Sequence, residues 1–148
     1  MNSMTDPCFV DSNVLVYARD RAEPGKQSRA HLWLEHLWQS HLGRVSTQVL
    51  VEFYVTATQK IKPGMEREMA RRDVRRFLTW QPAVIDRAMI ERAWSIQDRH
   101  VLSWWDSLVV AAAQILRCRY LLTEDLSAGQ RFDELEVVNP FEKLPEDF

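Results

Sequence analysis

The chain has 148 residues, of which 46% are hydrophobic and 27% charged, with four glycines and six prolines. This composition is close to that of soluble globular domains, and it excludes collagen-like, low-complexity and disordered chains. Nineteen basic and twenty-one acidic residues give a net charge of −2. No apolar run reaches the roughly 18 residues that a membrane span requires.

We therefore expect one domain over residues 1–148, with no membrane partner. The first eight residues lack a basic region followed by an apolar stretch, so we do not expect a signal peptide. Two cysteines, Cys8 and Cys118, are too few for a disulfide framework. This usage indicates a reducing compartment, and we predict a cytoplasmic protein.

Short apolar runs alternate with longer helical segments along the chain. The predicted strands cover 8–10, 44–46, 82–85, 120–123 and 136–138. The predicted helices cover 26–42, 48–59, 65–80, 86–99 and 106–118, and Gly43 is expected to end the first of them. Strands that alternate with helices are typical of parallel βαβ units. We predict an α/β fold, a three-layer α/β/α sandwich around a parallel β-sheet.

Six tryptophans are many for this length, and most of them fit inner helix faces. We expect core positions for Trp33, Trp38, Trp80 and Trp94. The adjacent pair Trp104 and Trp105 cannot both face inward from one helix. One of the two is expected near a functional site or at a subunit interface.

Four carboxylates lie where a parallel sheet would bring side chains together. Asp11 ends the first strand, Glu52 lies in the helix after the second, Asp106 opens the apolar helix and Asp125 ends YLLTED. Ligands of such sheets bind at the carboxyl ends of the strands.

Each carboxylate also has a structural interpretation. Asp11 and Asp125 fit turn or N-cap positions, and Ser103 with Asp106 fits a capping box. Glu52 has apolar neighbours, so it is either an edge residue or a partly buried one that needs a partner.

Clustered carboxylates raise each other's pKa unless a cation neutralises them. Ligand sets made only of oxygen suit Mg²⁺ or Mn²⁺. One or two such ions activate a water and stabilise the charge that develops when a phosphodiester is cleaved. The constellation therefore favours metal-dependent phosphodiester hydrolysis.

Four segments in order resemble the PIN-domain family, and specifically the VapC-type toxins of bacterial type II toxin–antitoxin pairs. They are FVDSNVLVYARD, STQVLVEFY, SWWDSLVVAAA and YLLTEDLSAGQRF. Each segment alone is a weak signal, whereas all four in this order are a strong one. The resemblance implies an α/β/α sandwich with Mg²⁺- or Mn²⁺-dependent endoribonuclease activity.

The resemblance also implies roles for individual residues. The acidic quartet that binds the metal and orients the attacking water is matched by Asp11, Glu52, Asp106 and Asp125. Asn13 and Thr123 are expected to support it by hydrogen bonds. Ser12 stands where many relatives have Thr and keeps a hydroxyl available. We choose Asp125 over Glu124, because adjacent strand residues point to opposite faces.

The partners implied by the resemblance are an RNA substrate, a small antitoxin that covers the acidic groove, and a second copy in a homodimer. Residues 60–100 hold ten basic and six acidic residues, whereas residues 101–148 hold four and nine. The predicted basic helix over 65–80 can bind RNA phosphates or an acidic partner, or remain solvated. Its arginines are Arg67, Arg71, Arg72, Arg75 and Arg76.

Two other classes of function are compatible with an acidic pocket on a parallel sheet. A phospho-receiver domain needs adjacent acids near the first strand and a Lys just after the last one, but Asp11 stands alone and Lys143 lies beyond Pro140. The other alternative is a catalytically silent PIN-like module that binds without cutting.

Overall fold

The computed structural model describes residues 5–148, in which five strands form one sheet. The strands are β1 (Cys8–Val10), β2 (Gly43–Arg44), β3 (Tyr120–Leu122), β4 (Arg131–Phe132) and β5 (Leu135–Val138). The helices are α1 (Ser12–Tyr17), α2 (Pro24–Ser40), α3 (Thr47–Val55), α4 (Arg67–Leu78), α5 (Arg87–Arg99) and α6 (Trp104–Ile115). A π-helical segment, Thr56–Lys60, continues α3, and a 3₁₀ turn covers Pro145–Asp147.

The sheet has the strand order β2-β1-β3-β5-β4, and its helices complete the predicted three-layer α/β/α sandwich. Neighbouring strands pair in parallel except β4, which is antiparallel to β5. The predicted parallel sheet is therefore confirmed for four strands, and β4, which the sequence did not predict, adds an antiparallel edge. Only Asp133 and Glu134 separate β4 from β5, and so short a connection permits antiparallel pairing alone.

Two further expectations differ from the structure. The segment 82–85 is not a strand, because Ala83 makes only a single bridge to Ser46, and Pro82 has no N–H to donate. The helix predicted over 26–42 covers Pro24–Ser40 and so ends two residues early, where His41 takes the left-handed conformation with φ 61°.

The core is built mainly from the central strands and α6. All three residues of β1 are buried, and so is the run from Ser107 to Ala113 in α6. Burial all round explains why α6 lacks a polar face in the sequence. None of the described helices is long and apolar enough to cross a membrane.

The tryptophans divide between core and surface. Trp33 is fully buried, and Trp38 packs on Trp80 with ring centroids 4.8 Å apart. Trp94 is 53% exposed, so its predicted core position is wrong. Its neighbour Ala93 occupies the buried face of α5 instead.

An ion pair with one buried and one partly exposed member connects α4 to the segment that follows α1. Arg19 donates two hydrogen bonds of 2.7 Å, one to each carboxylate oxygen of Asp73. Asp73 is buried, whereas the Arg19 side chain is 39% exposed. This geometry is bidentate, which fixes the orientation of both side chains.

Candidate metal centre

The candidate site lies where the strand order reverses, at the carboxyl ends of β1 and β3. Val10 pairs with Leu122, and the next residues of the two strands are Asp11 and Thr123. The Asp11 N–H donates to the Leu122 carbonyl at 3.0 Å and so keeps these ends together. Such a switch point is the usual ligand crevice of an open α/β sheet.

One hydrogen-bond network ties four of the predicted residues together. The Thr123 hydroxyl donates to Asp11 Oδ2 at 2.8 Å. Asn13 Nδ2 lies 3.0 Å from Thr123 Oγ1 and 3.1 Å from Asp125 Oδ2, and it approaches Asp11 Oδ2 at 3.5 Å. Asn13 is therefore the link between Asp11 and Asp125.

Asp11 has a second task, because it is also the N-cap of α1. Its Oδ1 accepts the Ser12 N–H at 2.7 Å. The capping interpretation and the site interpretation thus describe the same side chain. Asp11 is only 4% exposed, and this burial is the main cause that raises its pKa to about 7. The hydrogen bonds from Thr123 and Ser12 act in the opposite direction.

Glu52 lies in α3 and is half-buried. Burial is the largest cause that raises its pKa, and the charges of Asp106 and Asp125 add to it. The side chains of Gln48 and Ser12 approach its carboxylate and lower the pKa in part. Glu52 is therefore a partly buried residue with polar partners.

Asp106 lies in the first turn of α6, which begins at Trp104 rather than at Asp106. Its own N–H donates to Ser103 Oγ at 3.1 Å, so the predicted cap by Ser103 is present. Partial burial raises the pKa of the Asp106 carboxyl, and the charge of Asp125 raises it further. The carboxylate is thus both a helix-terminus residue and a neighbour of Asp125.

Glu124 and Asp125 both follow β3, and they point to different partners. Asp125 accepts from Asn13, whereas Glu124 accepts from Lys26 Nζ at 2.8 Å. Neither residue belongs to the strand, which ends at Leu122, so the predicted strand over 120–123 is one residue too long.

The four predicted acids are close enough for their charges to interact. Within residues 5–148, however, no three acidic, histidine or cysteine side chains converge to a metal-binding arrangement as they stand. Two amide oxygens beside the acids, Asn13 Oδ1 and Gln48 Oε1, are buried without a hydrogen-bond donor among the described residues. Carboxylates that repel one another, with unsatisfied acceptors beside them, fit a hydrated hard cation such as Mg²⁺ or Mn²⁺.

Gln48 is a polar residue of this site that the sequence-based interpretation did not select. It is 7% exposed, and its Nε2 donates to the Trp105 carbonyl at 3.3 Å, next to Asp106. It also lies one helical turn before Glu52. That i, i+4 spacing is the signal that points to it in the sequence.

The arginines of α4 lie on its exposed surface. Arg71 and Arg75 pair with Glu68 at 3.9 and 3.1 Å, and Arg76 lies 5.2 Å from the centre of the Trp38 ring. Arg71 and Arg75 also line an apolar groove together with Val51, the neighbour of Glu52. Trp105 is 59% exposed at the start of α6.

A family model described as the PIN domain matches residues 8–136 of the chain, which includes every element from β1 into β5. The chain belongs to the PIN-domain family. No curated protein matches it. Three solved structures similar to this PIN domain share 16–19% of its sequence and so bear on the fold.

All three of these structures come from toxin–antitoxin systems. A toxin–antitoxin complex from Klebsiella pneumoniae superimposes with a TM-score of 0.62 and 19% identity, covering 90% of this chain and 97% of that one. Mycobacterium tuberculosis VapC20, described as a toxin that cleaves the sarcin–ricin loop, gives 0.59 and 18%, with 80% and 89% covered. VapBC2 from Rickettsia felis, bound to a DNA fragment from its promoter, gives 0.55 and 16%, with 88% and 96% covered.

Proposed function

We propose that this PIN domain is a Mg²⁺- or Mn²⁺-dependent endoribonuclease and the toxin of a toxin–antitoxin pair. The observation that carries the proposal is the electrostatic coupling of four carboxylates that come from four separate segments of the fold. Asp11 and Asp125 share Asn13 as a donor, and the charge of Asp125 acts on both Glu52 and Asp106. Such a concentration of negative charge is costly unless a cation compensates it.

The residues that would hold the cation are Asp11, Glu52, Asp106 and Asp125. When bound, the cation supplies Lewis acidity and neutralises the charge that develops on a phosphodiester during hydrolysis. The neutral side chains around these acids would keep them in place. The Thr123 hydroxyl and the Ser12 backbone N–H donate to Asp11, and the Asn13 side chain donates to Asp125.

The carboxylates of the candidate site differ in their access to solvent. Asp11 is buried at the base, whereas Asp125 is exposed. An RNA strand would therefore approach from the side of Asp125, and its phosphate would meet Glu52 and Asp106 next. The exposed arginines of α4 supply positive charge for flanking phosphates.

Cleavage of total cellular RNA by the purified protein tests this proposal. We expect RNA to be cut in Mg²⁺ or Mn²⁺, and the cuts to disappear with EDTA and with Asp11→Asn. EDTA removes the cation, and the substitution removes one of the negative charges that would hold it. Asp98→Asn, an exposed carboxylate on α5, is the matched control and should cut normally. Equal cleavage by a folded Asp11→Asn protein would reject the assignment, and mapped ends would identify the target RNA.

A catalytically silent binding module is the second candidate. It is favoured by the finding that no three candidate ligands converge within residues 5–148 as they stand. Mn²⁺ affinity without cleavage of any RNA would support this candidate over the nuclease.

The proposed protein partners are an antitoxin and a second copy of the chain. The toxin–antitoxin complexes among the similar folds support the first of these. The exposed aromatic side chains of Trp94 and Trp105, 53% and 59% exposed, support self-association through α5 and α6. Light scattering of Trp94→Ser would test the second, with a shift from dimer to monomer as the expected result.

A further inference from the structure

A pocket of about 290 Å³ lies beside the candidate metal centre. Asn13 belongs to both, because its amide nitrogen contacts Thr123 and Asp125 while the side chain lines the pocket. Ser12, which approaches Glu52, lines the pocket as well. If an RNA phosphate lay at the metal centre, a nucleoside attached to that phosphate would therefore lie next to this pocket.

The apolar part of the pocket includes Tyr17 and Ile61. Tyr17 is held from two sides. Its ring meets Phe141 edge-on, with centroids 5.1 Å apart at 80°, and Lys26 Nζ lies 3.3 Å from its hydroxyl. An aromatic side chain that is already fixed can bind a planar heterocycle with little loss of freedom.

The polar part of the pocket carries two carboxylates, Asp20 and Glu124. Glu124 is neutralised by Lys26 at 2.8 Å. Asp20 Oδ1 accepts the Ala22 N–H at 3.0 Å, and no other residue in the range 5–148 donates to the Asp20 carboxylate. The pocket therefore contains a negatively charged carboxylate with an oxygen free to accept hydrogen bonds. This carboxylate repels anions and attracts N–H donors.

We propose that this pocket binds the guanine base of a nucleotide next to the cleaved phosphodiester, with Tyr17 against the base and Asp20 accepting its hydrogen bonds. The position next to the cut rests on the proposed nuclease function. Guanine carries two adjacent donors on its Watson–Crick edge, N1–H and the 2-amino group, which match carboxylate acceptors. Adenine and cytosine present an amino group beside a ring acceptor, and uracil has its single donor between two carbonyls, so Asp20 disfavours these bases.

Mononucleotide binding to the full-length protein tests the base preference without requiring cleavage. We expect GMP to bind roughly tenfold more tightly than IMP, because IMP lacks only the 2-amino donor. AMP, CMP and UMP should bind no better than IMP. Equal affinities for GMP and IMP would overturn the proposal.

Asp20→Asn is the decisive variant. The asparagine keeps an oxygen for the Ala22 N–H but replaces the free oxygen with an amino group that opposes guanine's donors. We expect the difference between GMP and IMP to disappear, and a preserved preference would overturn the role of Asp20. Tyr17→Leu should weaken all five nucleotides, whereas Asp98→Asn should leave the binding of all five unchanged.

The two proposals fail separately. If RNA is cut without guanosine enrichment beside the cuts and GMP is not preferred, the guanine pocket is rejected while the nuclease stands. If no RNA is cut but GMP is preferred and Asp20→Asn removes the preference, the pocket stands while the nuclease is rejected.

Discussion

Thr123 Oγ1 lies 2.8 Å from Asp11 Oδ2, although 112 positions separate the two residues in the chain. The same hydroxyl oxygen is 3.0 Å from Asn13 Nδ2 and accepts the Asp125 N–H at 3.1 Å. One fully buried side chain thus holds the base of the candidate metal centre. Its donor and acceptor functions are both in use.

Thr123→Val should weaken Mn²⁺ binding by about 10- to 100-fold, which is the usual effect of losing a group that orients metal ligands. Valine has nearly the same shape, so packing changes little while Asp11 loses its hydroxyl donor. Calorimetric titration with Mn²⁺ measures the effect. Thr123→Ser keeps the hydroxyl and should bind nearly as well as the unchanged protein; unaltered affinity in the valine variant would contradict the role.

The metal-free protein should lose stability as the pH rises from about 4 to 7. The pKa of Asp11 is raised from 3.8 to about 7 in the folded state, so folding favours the protonated form. This contribution is fully present below the unfolded pKa and disappears as the pH passes the folded one. In EDTA we expect Tm to fall over this range, and Mg²⁺ to restore it more at pH 8 than at pH 5.

Asp11→Asn separates this effect from other titrations, because the variant cannot ionise at this position. Its Tm should change less between pH 5 and pH 8, and Mg²⁺ should raise it less. A Tm profile in the variant as steep as that of the unchanged protein would assign the pH dependence to other groups.

Arg19→Ala should destabilise the protein by about 1–3 kcal/mol. The substitution leaves the Asp73 carboxylate buried without its partner, which is costly in a protein interior. The 39% exposure of Arg19 keeps the effect below the 3–5 kcal/mol that is typical of fully buried pairs. Urea unfolding measures the loss, and the double variant Arg19→Met, Asp73→Leu should recover part of it.

Both thiols should resist modification in the folded protein. Cys8 and Cys118 are buried and free, and burial raises the pKa of Cys118 to about 12 and that of Cys8 well above its usual value. Thiolates are the reactive form, so a thiol reagent should modify neither residue at pH 8 until urea is added. Rapid reaction of either cysteine without denaturant would contradict the buried environment.

The sequence predicts the alternation of elements well, because the apolar strand 8–10 and the apolar run 108–113 of α6 are strong local signals. It does not reveal β4, since two residues with one exposed arginine carry no strand pattern. The core position predicted for Trp94 is also wrong, for a reason that concerns helix faces. Helical spacing alone does not tell which of two adjacent residues, Ala93 or Trp94, faces the neighbouring helix.

For the candidate site, the sequence predicts the acidic residues but not all of their polar neighbours. Asp11, Asp106 and Asp125 can be selected from residue type and position near element boundaries, and Glu52 can be selected as a carboxylate among apolar helix neighbours. In the structure the charges of these four acids interact. Gln48 was missed because its spacing of four residues from Glu52 is only a weak signal for a glutamine inside an apolar helix. Its importance depends on the Trp105 carbonyl, which belongs to a helix more than fifty positions later.

The two edges of the sheet are both poor templates for another chain. β2 and β4 contain two residues each, and β4 runs against the direction of the other strands. A long parallel edge offers unpaired backbone groups to any extended segment, whereas a two-residue edge offers too few for stable addition. We therefore expect this protein to resist amyloid-type association through its sheet, so that its contacts with other molecules are made by its helices and loops.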